Sequence, residues 1–238
     1  MKNPAAGGGR WVDVPPERLV SWIVTFTHRH GAGSVSRDPA GVTVTFTAAD
    51  GAVAECHPPF PPLRWAGTGA DGEPVDGGPV AAAEQIVAHA VADRTVGVLL
   101  VRLGGYAVGV FAGSPPRLVR SKTGSRPVHG RSAAGGWSQH RFARRRENQA
   151  ATALRAAGDA ATVIFGPYRL HSLVLGGDKR SIAGLRGDTR LAPYLGLAVD
   201  RFLTVPDPRL AVLKDSPHSF LAIRIRLTEP EYGGPAPG

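Results

Sequence analysis

The sequence predicts an α/β protein of the α+β kind: a mixed β-sheet with packed helices, preceded by a small N-terminal helix-plus-hairpin subdomain. Three observations predict it. A helix-period segment at 17–30 is followed by β-branched stretches on either side of Asp50-Gly51, a hairpin signal. Three strand-like segments crowd together between Thr95 and Lys122. From Gln139 onward, helical and strand patterns alternate, as they do where helices cover a sheet.

The elements follow in order. Residues 1–10 are mostly Gly, Ala and basic residues with no apolar signal core, and are expected as a disordered tail. Pro15-Pro16-Glu17 opens a helix over 17–30, with Leu19, Val20, Ile23, Val24 and Phe26 apolar and Gly31 as its stop. Residues 42–46 alternate and read as a strand, with 52–56 as the partner across Asp50-Gly51. These elements form the expected subdomain 11–65. Residues 66–79, dense in Gly, Asp and Pro, read as a linker, and the main body is expected over 80–228.

That body opens with an Ala-rich helix at 80–93, with Ile86 and Val87 inward. Residues 95–103 are nearly all apolar, the mark of a strand buried on both faces. Gly104-Gly105 turns the chain into a second strand at 106–111, and Pro115-Pro116 separates it from a third at 117–122. A loop at 121–138 is expected to be mobile, because Gly124, Gly130, Gly135 and Gly136 with Pro127 suit neither helix nor strand. Ser138 reads as an N-cap for a helix over 139–157. A strand follows at 162–165 or 172–175, the latter the stronger pattern. Then come a helix at 179–185, a strand at 202–205, a short helix capped by Asp207, and an alternating strand at 220–227. Residues 229–238 form a Pro/Gly tail.

The 238 residues are 42% hydrophobic, enough for a core. One cysteine, Cys56, leaves no internal disulfide framework and fits a reducing cytoplasm. No apolar run approaches the roughly 20 residues of a membrane span, so no membrane partner is expected. A monomer is expected.

Charge is more informative. The formal net charge is +9 and the pI about 10.5. From Arg94 through Arg146 no Asp or Glu occurs, and eleven of the 28 basic residues fall there, leaving 17 against 19 acids elsewhere. Positive charge gathered into one stretch is the footprint of a polyanion-binding surface.

Several chemistries are excluded by pattern. Eight scattered histidines and one cysteine give no metal-ligand spacing, and no cofactor motif is complete. Gly176-Gly177 after an apolar strand lacks the full phosphate-binding fingerprint. There is no nucleophile elbow, and the basic window lacks the clustered carboxylates that a two-metal nuclease needs.

What remains is Gly135-Gly136-Trp137-Ser138-Gln139, running into His140, Arg141, Phe142, Ala143, Arg144, Arg145 and Arg146. Gly-Gly leading to Gln at a loop tip resembles the catalytic loop of class-I peptide-release factors. The two extra residues and the basic run after them are more similar to the Vms-like release factor family in its actinobacterial form. Residues 173–177, Leu-Val-Leu-Gly-Gly, resemble a strand end in the central domain of eukaryotic release factors. The resemblance implies a release-factor central-domain-like, RNase-H-like fold. It also implies a peptidyl-tRNA hydrolase acting on stalled large ribosomal subunits, with no cofactor, and large subunit and peptidyl-tRNA as partners. Gln139 would meet the ester, and Gly135 and Gly136 would complete the catalytic loop. Trp137-Ser138 separates glycine from glutamine, which leaves open which N–H meets the leaving oxygen.

The residues support that chemistry physically. The ester is already activated and needs a placed water more than a strong base. Glutamine offers an acceptor and two donors without charge, and flanking glycines let backbone donors approach. Arg141, Arg144 and Arg145 share one helix face and are assigned to RNA phosphates together with Lys122, Arg126 and Arg131. Phe142, Ala150, Ala153 and Ala157 form the opposite, inward stripe. Trp137 either stacks on a base or packs at the loop base. From the residues alone, Gln139 also reads as an early helix residue. A metal-independent nuclease acting near the tRNA 3′ end and a non-catalytic RNA- or ribosome-binding module stand as alternatives.

Overall fold

The computed structural model describes residues 3–5, 8–63, 65, 77–102, 104–125 and 138–230, with residues 3 and 138–150 in backbone only. The chain divides into two compact units, residues 1–92 with 221–238, and residues 93–220.

The first unit opens with a strand pair, Asn3–Pro4 (β1) and Arg10–Val14 (β2). Helix α1, Pro16–His30, is entered through an extended Pro15 and ends at Gly31. Ser34–Arg37 (β3), Val44–Thr47 (β4) and Val53–His57 (β5) form an antiparallel meander, and Gly78–Ala90 is α2. The chain's last strand, Ile223–Thr228, returns here; it is β11 once the five strands of the second unit are counted. The sheet order is β1-β2-β11-β5-β4-β3, antiparallel throughout. Strict alternation sends Ile223, Ile225 and Leu227 inward beside Ala54, Cys56, Val44 and Phe46. Leu19, Ile23 and Phe26 of α1 and Ala82, Ala83, Ile86 and Ala90 of α2 fill the same core. The outer face carries Arg224 over the Trp11 ring at 4.3 Å and the Arg226–Glu55 ion pair at 3.3 Å.

This unit is larger than the expected helix and hairpin. α2 and β11, both expected in the body 80–228, belong to it. Arg226 and Glu55 lie 171 positions apart yet pair across neighbouring strands, and local pattern carries no information about so distant a partner. The expected disordered tail differs too, since Asn3, Pro4 and Arg10 stand in strands. Of the expected linker, residues 66–76 lie outside the described residues, while Gly78 is already helical.

The second unit begins with an antiparallel meander, Val96–Arg102 (β6), Gly105–Ala112 (β7) and Arg117–Ser125 (β8). Ser138–Phe165 is α3, Ser172–Gly177 β9 and Lys179–Leu185 α4. A 3₁₀ turn at Thr189–Leu191 leads into the short α5, Ala192–Leu195; Ala198–Leu203 is β10 and Leu210–Phe220 α6. The sheet order is β10-β9-β6-β7-β8, with β9 parallel to both β6 and β10. A meander followed by two crossover strands, with β7 alone running against the rest, matches the RNase-H-like arrangement expected. Residues 96–101 of β6 are all buried, as a central strand requires. Leu99, Val101, Val108 and Val110 face Ala157, Ala160, Ala161, Ile164 and Phe165 of α3 and Ile182 and Leu185 of α4. On the other face Phe111 meets Phe220 of α6 edge-on, centroids 5.6 Å apart.

Three expectations shift here. Residues 162–165 are the last turn of α3 rather than a strand, because Ile164 and Phe165 continue its buried helical stripe. Helix α6 starts at Leu210 and runs to Phe220, with Pro217 inside it, so Asp207 is not its cap and Phe220 closes a helix instead of opening β11. Residues 121–125, expected in the mobile loop, are the end of β8.

Candidate functional site

β6, β8, β9 and β10 run in one direction, so Arg102, Ser125, Gly177 and Leu203 finish at the same edge of the sheet. The glycine-rich segment leaves from that edge after Ser125. Gly124 belongs to the strand: a Cβ there would sit 2.5 Å from ring atoms of Tyr106, whose phenol ring covers the position. The residue that looked like a loop glycine therefore lets an aromatic ring lie flat on the strand before the chain departs.

β8 is the edge strand, and its register carries a bulge. Arg117 pairs with Ala112 and Leu118 with Phe111, but Arg120 pairs with Val110, Ser121 with Gly109 and Lys122 with Val108. The extra residue is Val119. In a regular strand, Arg117 and Arg120 would point to opposite faces; the inserted residue restores Arg117 to the side of Arg120 and Lys122. Val108 and Val110 contact the α3 core, so all three cations take register positions on the α3 side of the sheet. All three are exposed, and none forms an ion pair with a described residue. Arg190 shows the opposite situation. Asp188, 2.6 Å away, and Asp159, 2.9 Å away, neutralise it, and that pairing raises the guanidinium pKa and lowers that of Asp188. Sequence reasoning named Lys122 but missed Arg117 and Arg120 as its companions; Arg120 lies one two-residue period from Lys122, whereas Arg117 fits that period only through the bulge.

Among the expected site residues, Gln139, Arg141, Arg144 and Arg145 lie in the first turns of α3, whose backbone is helical from Ser138. Ser138 is thus the first helical residue, one position later than its expected role as cap. Arg126, Arg131, Gly135, Gly136 and Trp137 lie outside the described residues, as does the rest of the expected mobile loop over 126–137. Ala157 is buried as expected and Ala153 is half-buried; the side chains of Phe142 and Ala150 lie outside the described part. With 28 residues, α3 is roughly 42 Å long. Among its described side chains, the buried ones are Ala157, Ala160, Ala161, Ile164 and Phe165, which fix the C-terminal part of the helix in the core. The first-turn amide N–H groups have no acceptor within the helix, and the helix dipole puts partial positive charge beside them. The exposed cations of β8 suit a phosphate-rich partner.

Among the described residues, no group of three His, Cys, Asp or Glu side chains converges as metal ligands, and no helix is long and apolar enough to cross a membrane. Cys56 is buried, and burial pushes its thiol pKa up.

The family described as Actinobacteria/chloroflexi VLRF1 release factor matches residues 94–226, more than half of the chain and all of the 135–146 stretch. No curated protein matches. Among solved structures, the crystal structure of an archaeal translation termination factor, aRF1, is similar at 13% identity and a TM-score of 0.36, covering 89% of this chain and 66% of that one. A structure titled Vms1 mitochondrial localization core is similar at 11% identity and a TM-score of 0.34, covering 76% and 75%. Pelota of Archaeoglobus fulgidus is similar at 10% identity and a TM-score of 0.33, covering 93% and 66%. This chain thus spans about two thirds of the length of the archaeal proteins. At such scores the assignment rests on the family match and not on the structural likeness. The chain belongs to the Actinobacteria/chloroflexi VLRF1 release factor family.

Proposed function

We propose that this protein is a peptidyl-tRNA hydrolase that releases the nascent peptide from tRNA on stalled large ribosomal subunits, with Gln139 positioning water at the ester. The observation that carries the reading is the family match, because it spans the whole Gly135–Gln139 stretch. The start of α3 at Ser138 adds to it, since the helix puts Gln139 in a turn with free amide donors.

In this reading the cations on β8 and at the start of α3 draw the protein to RNA. Gln139 accepts a hydrogen bond from water and holds it against the ester carbonyl carbon. Water's oxygen bonds to that carbon, the carbon–oxygen bond to the tRNA ribose breaks, and the ribose oxygen takes up a proton. Amide donors at the start of α3 and along the glycines would stabilise the charge that grows on the carbonyl oxygen. Glutamine suits the place because a carboxylate would be repelled by the surrounding phosphates.

Single-turnover release on isolated large subunits carrying peptidyl-tRNA, with enzyme saturating, tests the assignment. Gln139→Ala should bind subunits normally and release peptide about 10²- to 10³-fold more slowly, the usual effect of removing one positioned group. Gln139→Glu and Gly136→Ala should also be impaired. Normal release by Gln139→Ala would remove Gln139 from the chemistry, and a shortened tRNA among the products would identify a nuclease instead.

A further inference from the structure

We propose a second RNA contact: a cleft at the carboxyl ends of β6, β9 and β10 that holds the phosphate of one nucleotide in a single strand, with the base toward Phe202. The cleft measures about 440 Å³ and is lined by Arg102, Gly177, Asp178, Lys179, Phe202 and Thr204. Its location outside the ends of parallel strands is where open α/β sheets commonly take ligands.

The decisive feature is how its two cations are held. Arg102 donates from Nη1 to the carbonyl oxygen of Val205 at 3.0 Å, and Lys179 places Nζ 5.8 Å from the centroid of the Phe202 ring. A carbonyl and a ring orient these groups without cancelling their charge, and among the described residues neither pairs with a carboxylate. The one acid in the lining, Asp178, is engaged elsewhere. Its carboxylate accepts from the Ser181 hydroxyl at 2.7 Å and from the Ser181 and Arg180 amides at 3.0 and 3.3 Å, contacts that, led by the Ser181 hydroxyl, hold its pKa below the ordinary value. Asp178 stays ionised, but its lone pairs point at these donors, and the two pre-oriented cations leave the lining with one net positive charge. The guanidinium keeps donors in reserve for phosphate oxygens, and the Thr204 hydroxyl offers a further donor.

Gly176 and Gly177 play no direct part. Gly177 has φ of 100°, and a Cβ on it would lie 2.2 Å from the Val101 carbonyl oxygen; one on Gly176 would lie 2.7 Å from that of Leu203. Strand packing accounts for both glycines, so the phosphate argument rests on the cations and the ring. Arg102, Lys179 and Thr204 are exposed, so a ligand here stays largely in solvent. That favours one unit of a strand anchored elsewhere over a free nucleotide, whose pocket would enclose most of its surface. β8 lies three strands from β9, roughly 14 Å across the sheet, and its Lys122 stands three residues back from the edge at Ser125, roughly 10 Å along the strand.

The site is independent of whether Gln139 is catalytic. The full-length protein is titrated with a labelled short single-stranded oligoribonucleotide, followed by fluorescence anisotropy at several salt concentrations. Arg102→Ala with Lys179→Ala should weaken binding by about tenfold or more, and should lower the log-affinity against log-salt slope by roughly 0.7, the value for the one phosphate the two cations share. Phe202→Leu, which changes no charge, should weaken it by about fivefold or more, as loss of one base–aromatic stack does. Arg186→Ala should bind as wild type does, and because the readout is binding and not peptide release, failure of the hydrolase reading and failure of this one are told apart. Adenosine monophosphate is the competing probe. Failure to displace RNA supports the strand contact. Displacement that the double variant abolishes supports the phosphate site with a free nucleotide as its source. Unchanged binding in the double variant and in Phe202→Leu, or a loss confined to the charge variants, overturns the proposal.

Discussion

Removing the three bulge-aligned cations of β8 tests whether that edge meets RNA. Arg117, Arg120 and Lys122 take register positions on one face of the sheet, and their side chains are exposed. Each phosphate contact contributes about 0.7 to 0.9 to the slope of log affinity against log salt, so Arg117→Ala, Arg120→Ala and Lys122→Ala together should flatten it by roughly 2 to 2.7. Between about 50 and 200 mM salt, the deficit of the triple variant should therefore shrink by roughly 16- to 40-fold. Equilibrium binding to isolated large subunits across that range gives the measurement.

The matched control removes Arg186, Arg190 and Arg209. Arg190 is already neutralised by Asp159 and Asp188, so its replacement should leave the slope where it was. Two results would refute the reasoning. An equal slope for wild type and the β8 variant would put the RNA surface elsewhere. An equal loss in both variants would show that overall charge, and not the strand, governs binding.

Other predictions follow from packing. Gly177→Ala combines a φ of 100° with a Cβ contact of 2.2 Å to backbone, which should cost about 2 to 3 kcal/mol or more and lower Tm by roughly 5 °C or more in a scan. Gly187→Ala, which meets nothing within 4 Å, should leave Tm unchanged; equal Tm values for the two would contradict the described strand packing. Cys56, buried in the first unit with its thiol pKa raised, should resist maleimide near neutral pH until denaturant is added, because the thiolate is the reactive form. Labelling of the native protein at the rate of a free thiol would show that the β5 region opens.

Much of the second unit could be read from the sequence, because its signals are local. An apolar run marks a doubly buried strand, as β6 is, and Gly104 at the turn between β6 and β7 takes a φ of 92°. Helix α4 spans Lys179–Leu185 as expected, with Asp178 as its cap, accepting from the amides of Arg180 and Ser181. The first unit resisted because its organising strand is remote. β11 inserts between β2 and β5, and nothing in the alternation of residues 223–228 says which strands it divides. β2 was hidden differently: five residues after a glycine-rich start are too few for a periodicity to emerge, and Trp11 and Val12 gain their meaning only from pairing with β11.

The site divides along the same line. Gln139 and its neighbours stand out as candidates in the sequence because they form one contiguous motif, and the helix that begins at Ser138 is a local property. The cations of β8 were counted but not located. Charge composition records that Arg117, Arg120 and Lys122 exist, whereas facing depends on period, and a bulge changes the period without any residue that announces it. Val119 is an ordinary strand former, and its insertion is fixed by β7, where Phe111 and Val110 must each keep a buried position on opposite faces. The packing demand of a neighbouring strand thus decides which charges stand together. The same holds in the cleft at the opposite part of the sheet edge. Arg102 and Lys179 are 77 positions apart and become neighbours only because β9 lies beside β6 in parallel. Apolar packing sets the register of these strands, and the register assigns the polar side chains to their partners.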